Sequence, residues 1–419
     1  MALDNKKPPL CVYNDVTKEN LLDSQNRIKD CFEHASFISL DTEFTGLGRG
    51  SSQNVRASNI QERYAALREV VTNHAMVAFG LSVFKEIDVT KHSPNPNPLE
   101  KSYTVDNFNF TLLCQNDYTV NPRSLSFLAE SGFDFNKQAL SGIPYFPGDV
   151  QETSKSNKFD ATMRHIFRHL LASKAPVVLH NGLLDIMFLY HGFYASLPKK
   201  LDTFLADLSD MFPLGIYDTK YIADYLTREK ASFLSYLYKK YEREQLKRKQ
   251  NSRKHYLTIS LNGTIVENPS TKTPVQPNNL PVKPCPQFTN HGYCPKGLQC
   301  PLSHDLDVIL DAEMSRRKRK RKDGHLDEDT VIEPSVILAT VSEDACDKVS
   351  PATPGQFHAA HFDAYMTGFV FARQILTYDQ DTLQKEHINR IYLIGKSFPL
   401  IILKSAFASY SEFHDTLRQ

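Results

Sequence analysis

Phe37-Ile38-Ser39-Leu40-Asp41-Thr42-Glu43-Phe44-Thr45-Gly46 is the stretch on which the reading of this chain turns. Its apolar and β-forming residues predict a buried strand. Side chains of a strand alternate between its faces, so Asp41 and Glu43 point the same way. Paired carboxylates repel each other unless a cation lies between them, and a hard divalent cation such as Mg²⁺ takes oxygen ligands of this kind. A second reading stands beside it, with Asp41 a cap or turn residue and Glu43 merely solvated. Further acids elsewhere must decide between the two.

Outward from this strand, a helix is expected over 12–34 and another over 59–73. Strands follow at 76–84 and 101–113, and a helix at 159–171. Ala175 to Gly182 reads as a strand ending in a turn, followed by the apolar helix start Leu183-Leu184-Asp185-Ile186-Met187. A carboxylate alone in such a run is costly to bury. Asp185 is therefore either a helix N-terminal charge or a further metal ligand. Asp218-Thr219-Lys220 reads as a strand-to-helix junction. The basic stretch 239–254 predicts a helix with a solvated face or an RNA contact. His358 to Ala372 predicts a helix with His358 at its entrance and Asp363 inside, and extended pieces follow at 391–394 and 400–402.

The totals agree with an ordinary folded interior. The chain has 419 residues, 41% of them hydrophobic, and a formal charge of +1, so a sizeable core is available. No run approaches the roughly 20 apolar residues of a membrane span, and no signal-peptide core is visible at the N-terminus. Three of the seven cysteines crowd into residues 285–300, a spacing of metal ligands rather than of a disulfide framework. That favours a reducing, intracellular compartment.

Asp41, Glu43, Asp185 and Asp363, with His358 close by, form a set able to hold two Mg²⁺ ions for in-line attack on phosphorus. A histidine suits proton removal from water near neutral pH. Three strings carry a resemblance: Asp41-Thr-Glu43-Phe-Thr-Gly, His180-Asn-Gly-Leu-Leu-Asp185, and His358 followed by Asp363-Ala-Tyr-Met-Thr-Gly. Together they resemble the motifs of the DEDDh exonucleases, most closely the CAF1-type deadenylase branch. The Asp218-Thr-Lys220 junction also matches that branch. The resemblance implies an α/β, RNase H-like mixed central sheet flanked by helices, and 3′→5′ hydrolysis of RNA to nucleoside 5′-monophosphates. It implies that Asp41 binds both metals, that Glu43 and Asp363 hold the water-activating one, that Asp185 supports the second, and that His358 is the general base. His361 lies off the motif and reads as structural or substrate-facing.

Cys285, Cys294, Cys300 and His304 offer three thiolates and an imidazole, a closed tetrahedral Zn²⁺ shell. A segment this short needs the metal in order to fold. Order and spacing resemble a CCCH zinc finger, a likeness that implies single-stranded RNA binding with Phe288 and Tyr293 stacking on bases. Leu302 stands where such fingers usually carry an aromatic, and a structural or protein-docking finger remains the other reading. Arg316-Arg317-Lys318-Arg319-Lys320-Arg321-Lys322 reads as a nuclear localisation signal or a nucleic-acid patch, with a solvated tail as the alternative.

The expected organisation is a first nuclease part over 1–261, a linker over 262–284 and the finger over 285–306. A disordered linker carrying the basic run follows over 307–350, and a second nuclease part over 351–419. A nuclease interrupted by a finger and a basic run is similar to nuclear Cajal-body exonucleases of that branch. This implies trimming of oligo(A) or short 3′ tails from small nuclear and other noncoding RNAs, with nuclear RNA-processing proteins as partners. The competing readings are a non-catalytic RNA-processing scaffold with the same fold, and a DNA-directed exonuclease.

Overall fold

The computed structural model describes residues 11–47, 59–92, 97–149, 158–250, 254–267, 283–322, 359–378 and 380–418. Its strands are β1 (Cys11–Val16), β2 (Phe37–Phe44), β3 (Met76–Ile87), β4 (Glu100–Cys114), β5 (Ile143–Tyr145), β6 (Val177–Leu179), β7 (Ile216–Asp218), β8 (Tyr256–Asn262), β9 (Ile265–Glu267), β10 (Arg390–Ile391) and β11 (Leu400–Ile401). The helices that matter here are α1 (Leu21–Glu33), α2 (Ile60–Asn73), α3 (Lys158–Leu171), α4 (Leu183–Phe193), α5 (Thr219–Tyr225), α6 (Leu234–Gln250), α7 (Leu306–Lys322) and α8 (Ala360–Ile375).

The strands form one mixed sheet in the order β11-β10-β7-β6-β2-β3-β4-β1-β9. β2, β3 and β4 pair antiparallel as a meander, while β6 and β7 continue from β2 in parallel. β4 is long enough to serve several partners. One edge pairs with β3, and the other is shared along its length by β8, β1 and β5, all parallel to it. The mixed α/β architecture expected from the sequence is present.

Each face of the sheet has its own core. Ile38 and Leu40 of β2 join Phe79, Leu81 and Phe108 under α1 to α4. Phe37, Phe84 and Tyr103 look the other way, toward α6 and α8. On that second face Ser39 donates to the Ala364 carbonyl of α8 at 2.7 Å. The alternation 37, 39, 41, 43 thus puts Asp41 and Glu43 under the same helix, as the pleat requires.

Two glycines set how closely α8 approaches. A Cβ on Gly80 of β3 would stand 1.9 Å from the Ala360 carbonyl oxygen, and one on Gly368 would stand 2.1 Å from the Phe84 ring. Gly80 is the register partner of Asp41. The missing side chains therefore lower the start of α8 onto the strands at the position of the acids.

Several expectations are corrected. The helix foreseen over 12–34 begins only at Leu21, because residues 11–16 are drawn into the sheet between β4 and β9. β9 lies within the linker expected over 262–284, and α7 runs through the first part of the linker expected over 307–350. Both gain partners remote in sequence: β9 pairs with β1, while Ile309 and Leu310 of α7 are buried in the core shared with α6 and α8. Residues 323–350 lie outside the described residues.

Candidate active site and metal centres

The acids of β2 meet Asp363 from the first turn of α8: oxygens of Asp41, Glu43 and Asp363 lie within 4.8 Å of one another. Ser39, Gly80 and Gly368 fix this meeting from below. The fourth acid approaches from the opposite side of β2. Asp185, in the first turn of α4, accepts through Oδ1 from the Thr42 amide at 3.1 Å and the Thr42 hydroxyl at 2.6 Å. Thr42 sits between the two β2 acids, so Asp185 is braced against the same strand while remaining outside the closest cluster. Phe44 stacked on Phe188 at 4.0 Å holds α4 along the end of β2.

Burial pushes the Asp41 carboxyl well above its ordinary range, and the charges of Asp363, Asp185 and Glu43 add to the rise. Glu43 is raised by burial and then by Asp363 and Asp185. Asp185 is pushed up to about 6 by burial, with the Thr42 hydrogen bonds acting in the opposite direction. Carboxylates raised by burial, two of them also by the like charges of the other site acids, are an all-oxygen donor set that a hard cation would relieve. The donor chemistry therefore fits Mg²⁺. The expected general base, His358, lies outside the described residues.

His361 resolves as structural. It is 4% exposed, its ring stacks on Tyr13 at 3.9 Å, and burial lowers its pKa to about 4. A neutral imidazole wedged between β1 and α8 is packing.

Asp218 does more than mark a junction. Its Oδ1 accepts from the amides of Asn181 (2.9 Å), Lys220 (3.0 Å) and Tyr221 (3.3 Å), and Oδ2 accepts from Tyr392 (3.0 Å). One buried carboxylate thereby caps α5 and ties it to β10 and to the turn before α4. Asn181 in that turn has a φ of 59°, which asparagine tolerates. These roles were missed from sequence, as were those of Thr42, Gly80 and Gly368. A glycine inside a strand pattern was the available signal for a close approach.

The second ligand set is also assembled: Cys285, Cys294, Cys300 and His304 offer ligand atoms within 4.8 Å of one another. Three sulfurs and one imidazole fit Zn²⁺. The Cys285 amide donates to the Ser303 carbonyl at 2.9 Å, drawing the ends of this segment together. Phe288, expected to stack on RNA, is corrected. It is 3% exposed, its ring stacked on His304 at 4.6 Å and edge-on to Phe233, just before α6, at 5.8 Å. A Cβ on Gly292 would also strike Phe233, at 2.7 Å. Phe288 joins the cysteine segment to the residues leading into α6 and presents no face to a base. Tyr293 is half-buried.

The CAF1 family ribonuclease model matches residues 16–162 and 149–371. The chain belongs to this family. Among its relatives, it is 26% identical to poly(A)-specific ribonuclease PARN of Xenopus laevis over 193 residues, 41% of this chain and 29% of that protein. It is 22% identical to the pre-piRNA 3′-exonuclease trimmer of Bombyx mori over 326 residues, 51% of this chain and 59% of that one. The chain thus spans less than a third of the length of the first relative and under two thirds of the second. A solved structure of S. pombe Pop2p in its Mg²⁺- and Mn²⁺-bound form is 19% identical, with a TM-score of 0.40, over 55% of this chain and 82% of that one. Nucleases of the CAF1 family are metal-dependent, in keeping with the acids of β2 and α8. No helix among the described residues is long and apolar enough to cross a membrane.

Proposed function

We propose that this protein is a nuclear, Mg²⁺-dependent 3′→5′ exoribonuclease that removes oligo(A) or short tails from small nuclear and other noncoding RNAs, releasing 5′-AMP. The observation that carries the nuclease reading is the meeting of Asp41, Glu43 and Asp363 within 4.8 Å, with Asp185 hydrogen-bonded to the residue between the first two. Membership of the CAF1 family supports it, and the names of the two relatives, a poly(A)-specific ribonuclease and a 3′-exonuclease, support the substrate and polarity.

Asp41, Glu43 and Asp363 would hold Mg²⁺, and Asp185 would support a second ion. Bound there, Mg²⁺ lowers the pKa of a coordinated water and offsets charge on the leaving oxygen. Asp363 on α8 and the acids of β2 fix where the scissile phosphate lies, while Thr42 orients Asp185. His358, just ahead of α8, is assigned by resemblance to take the proton from the attacking water. The cysteine cluster would hold Zn²⁺ as a brace between the inserted segment and the nuclease. Nuclear residence rests on the basic run Arg316 to Lys322.

The test is to incubate the purified full chain with Mg²⁺ and matched 3′-tailed RNA and DNA, then identify the released nucleotide. Stepwise shortening of the RNA with 5′-AMP release is expected, lost in Asp41→Ala/Glu43→Ala. No shortening by the wild type would leave the non-catalytic scaffold, and equal loss of DNA would favour the DNA-directed enzyme.

A further inference from the structure

Two basic segments far apart in the sequence meet in the fold. α6 ends in Lys247, Arg248 and Lys249, and α7 ends in the run from Arg316 to Lys322. The helices are joined at their acids. Arg243 pairs with Asp311 and, at 3.3 Å, with Asp307; Lys239 lies 3.6 Å from Asp307; and Glu313 takes Lys230 at 2.7 Å and the Tyr236 hydroxyl at 2.9 Å. The Lys247 ammonium lies 3.1 Å from the Met314 sulfur. The basic run therefore begins within about one helical turn of Lys247.

Past that junction the acids stop. Residues 247–254 contain none, and neither do residues 314–322. Lys247, Lys249, Lys254 and Arg316 are exposed. The junction uses the local carboxylates to dock the helices, and beyond it Glu244 faces Arg248 and Glu100 faces Lys249, while Lys247 and Arg316 lie exposed at the adjoining helix ends. Exposed cations at two adjoining helix ends favour a polyanion that spans them.

The same helix leads to the acid site. Tyr238 of α6 meets Phe362 edge-on at 5.9 Å, and Phe362 adjoins Asp363. Lys247 stands nine residues further along, about 14 Å of helix. A single strand with its 3′ end at the acids needs only a few nucleotides to cover that reach.

We propose that the C-terminal ends of α6 and α7 form one phosphate-binding surface for the upstream backbone of a single-stranded RNA. The surface rests on the ribonuclease reading above and adds affinity for length, not for sequence.

The test compares the wild type, Lys247→Gln/Lys249→Gln, and a variant with residues 316–322 all changed to Gln. Each is measured with a long labelled oligo(A) RNA in Ca²⁺ across a salt titration, and for Mg²⁺-dependent turnover of an oligonucleotide too short to leave the acids. In the two-lysine variant the slope of log affinity against log salt should fall by about 1.4, at roughly 0.7 per lost phosphate contact. It should fall further in the second variant, while turnover of the short RNA is unchanged in both. Unchanged slopes with intact turnover would overturn the surface, and if nuclear accumulation alone were lost the run would be an import signal only. Absence of turnover by the wild type would instead defeat the nuclease reading.

Discussion

The acid site and the cysteine cluster are both ligand sets, yet the chain builds them in opposite ways. All four cluster ligands lie between residues 285 and 304, so one short loop brings them together. The acids come from β2, α4 and α8, and converge only when the sheet and both flanking layers are complete. The cysteine cluster would be stabilised by its metal within a local fold. The acid site loads like charges into a finished core, and its geometry depends on groups that carry no charge. What the two share is α6, packed against α8 on one side and against α7, the helix that follows the cysteine cluster, on the other.

The largest effects should come from the acids themselves. Glu43→Ala should lower RNA hydrolysis by about 10³-fold or more, the scale on which removing one group aimed at developing charge acts, while thermal stability in metal-free buffer holds or rises. Activity within tenfold of wild type would mean that the convergence is not catalytic.

Next come the uncharged residues that set the convergence. Gly80→Ala places a Cβ against the backbone of Ala360, which cannot yield by side-chain rotation. It should lift the start of α8 and cost about 1–3 kcal/mol. Hydrolysis should fall although every acid remains. Unfolding measured in urea alongside turnover checks this, and a variant as stable and active as wild type would show that α8 does not rest on β3 there.

Phe288→Ala separates the two regions. As a core residue between His304 and Phe233 it should cost about 3–5 kcal/mol on removal. Stability would then fall while turnover of short RNA survives, and RNA affinity would change only as far as the finger loosens. Weaker RNA binding with unchanged melting would restore the ring to a stacking role.

These contrasts show why parts of the molecule were legible in advance and others were not. The shared face of Asp41 and Glu43 and the convergence of Cys285, Cys294, Cys300 and His304 follow from local rules, strand alternation and ligand spacing, and could be read directly. Residues 11–16 could not: Val12, Tyr13 and Val16 merge with the helical pattern of α1 until β4 and β9 claim them. α7 was hidden for a related reason, since its charges suggest a solvated linker until Arg243, Lys230 and the buried Ile309 and Leu310 supply partners. Phe288 has the sequence position expected of a base-stacking aromatic, and only its contact with Phe233 shows which way it faces. The glycine under α8 carries no chemistry of its own, and its meaning lies wholly in what lands on it.

The smallest expected change in stability probes the charge imbalance directly. Asp41, Glu43 and Asp185 all have folded-state carboxyl pKa values raised above the unfolded range near 4. A group raised in this way favours the folded state while protonated. Its contribution is full below the unfolded pKa and is lost as pH rises through the folded value. For Asp185 that window runs from about 4 to about 6. The metal-free protein should therefore melt at a lower temperature at pH 7.5 than at pH 5.5, and Mg²⁺ should recover part of the loss at the higher pH. Asp41→Asn removes one of the repelling charges and should stabilise the metal-free protein at pH 7.5 by about 1–2 kcal/mol while abolishing hydrolysis. It should also reduce the gain from Mg²⁺. Melting curves in chelator and in Mg²⁺, taken at both pH values, measure all of these quantities. If the wild type were equally stable at the two pH values and indifferent to Mg²⁺, the acids would not be repelling one another, and the contrast between a self-opposed acid site and a self-contained cysteine site would fail.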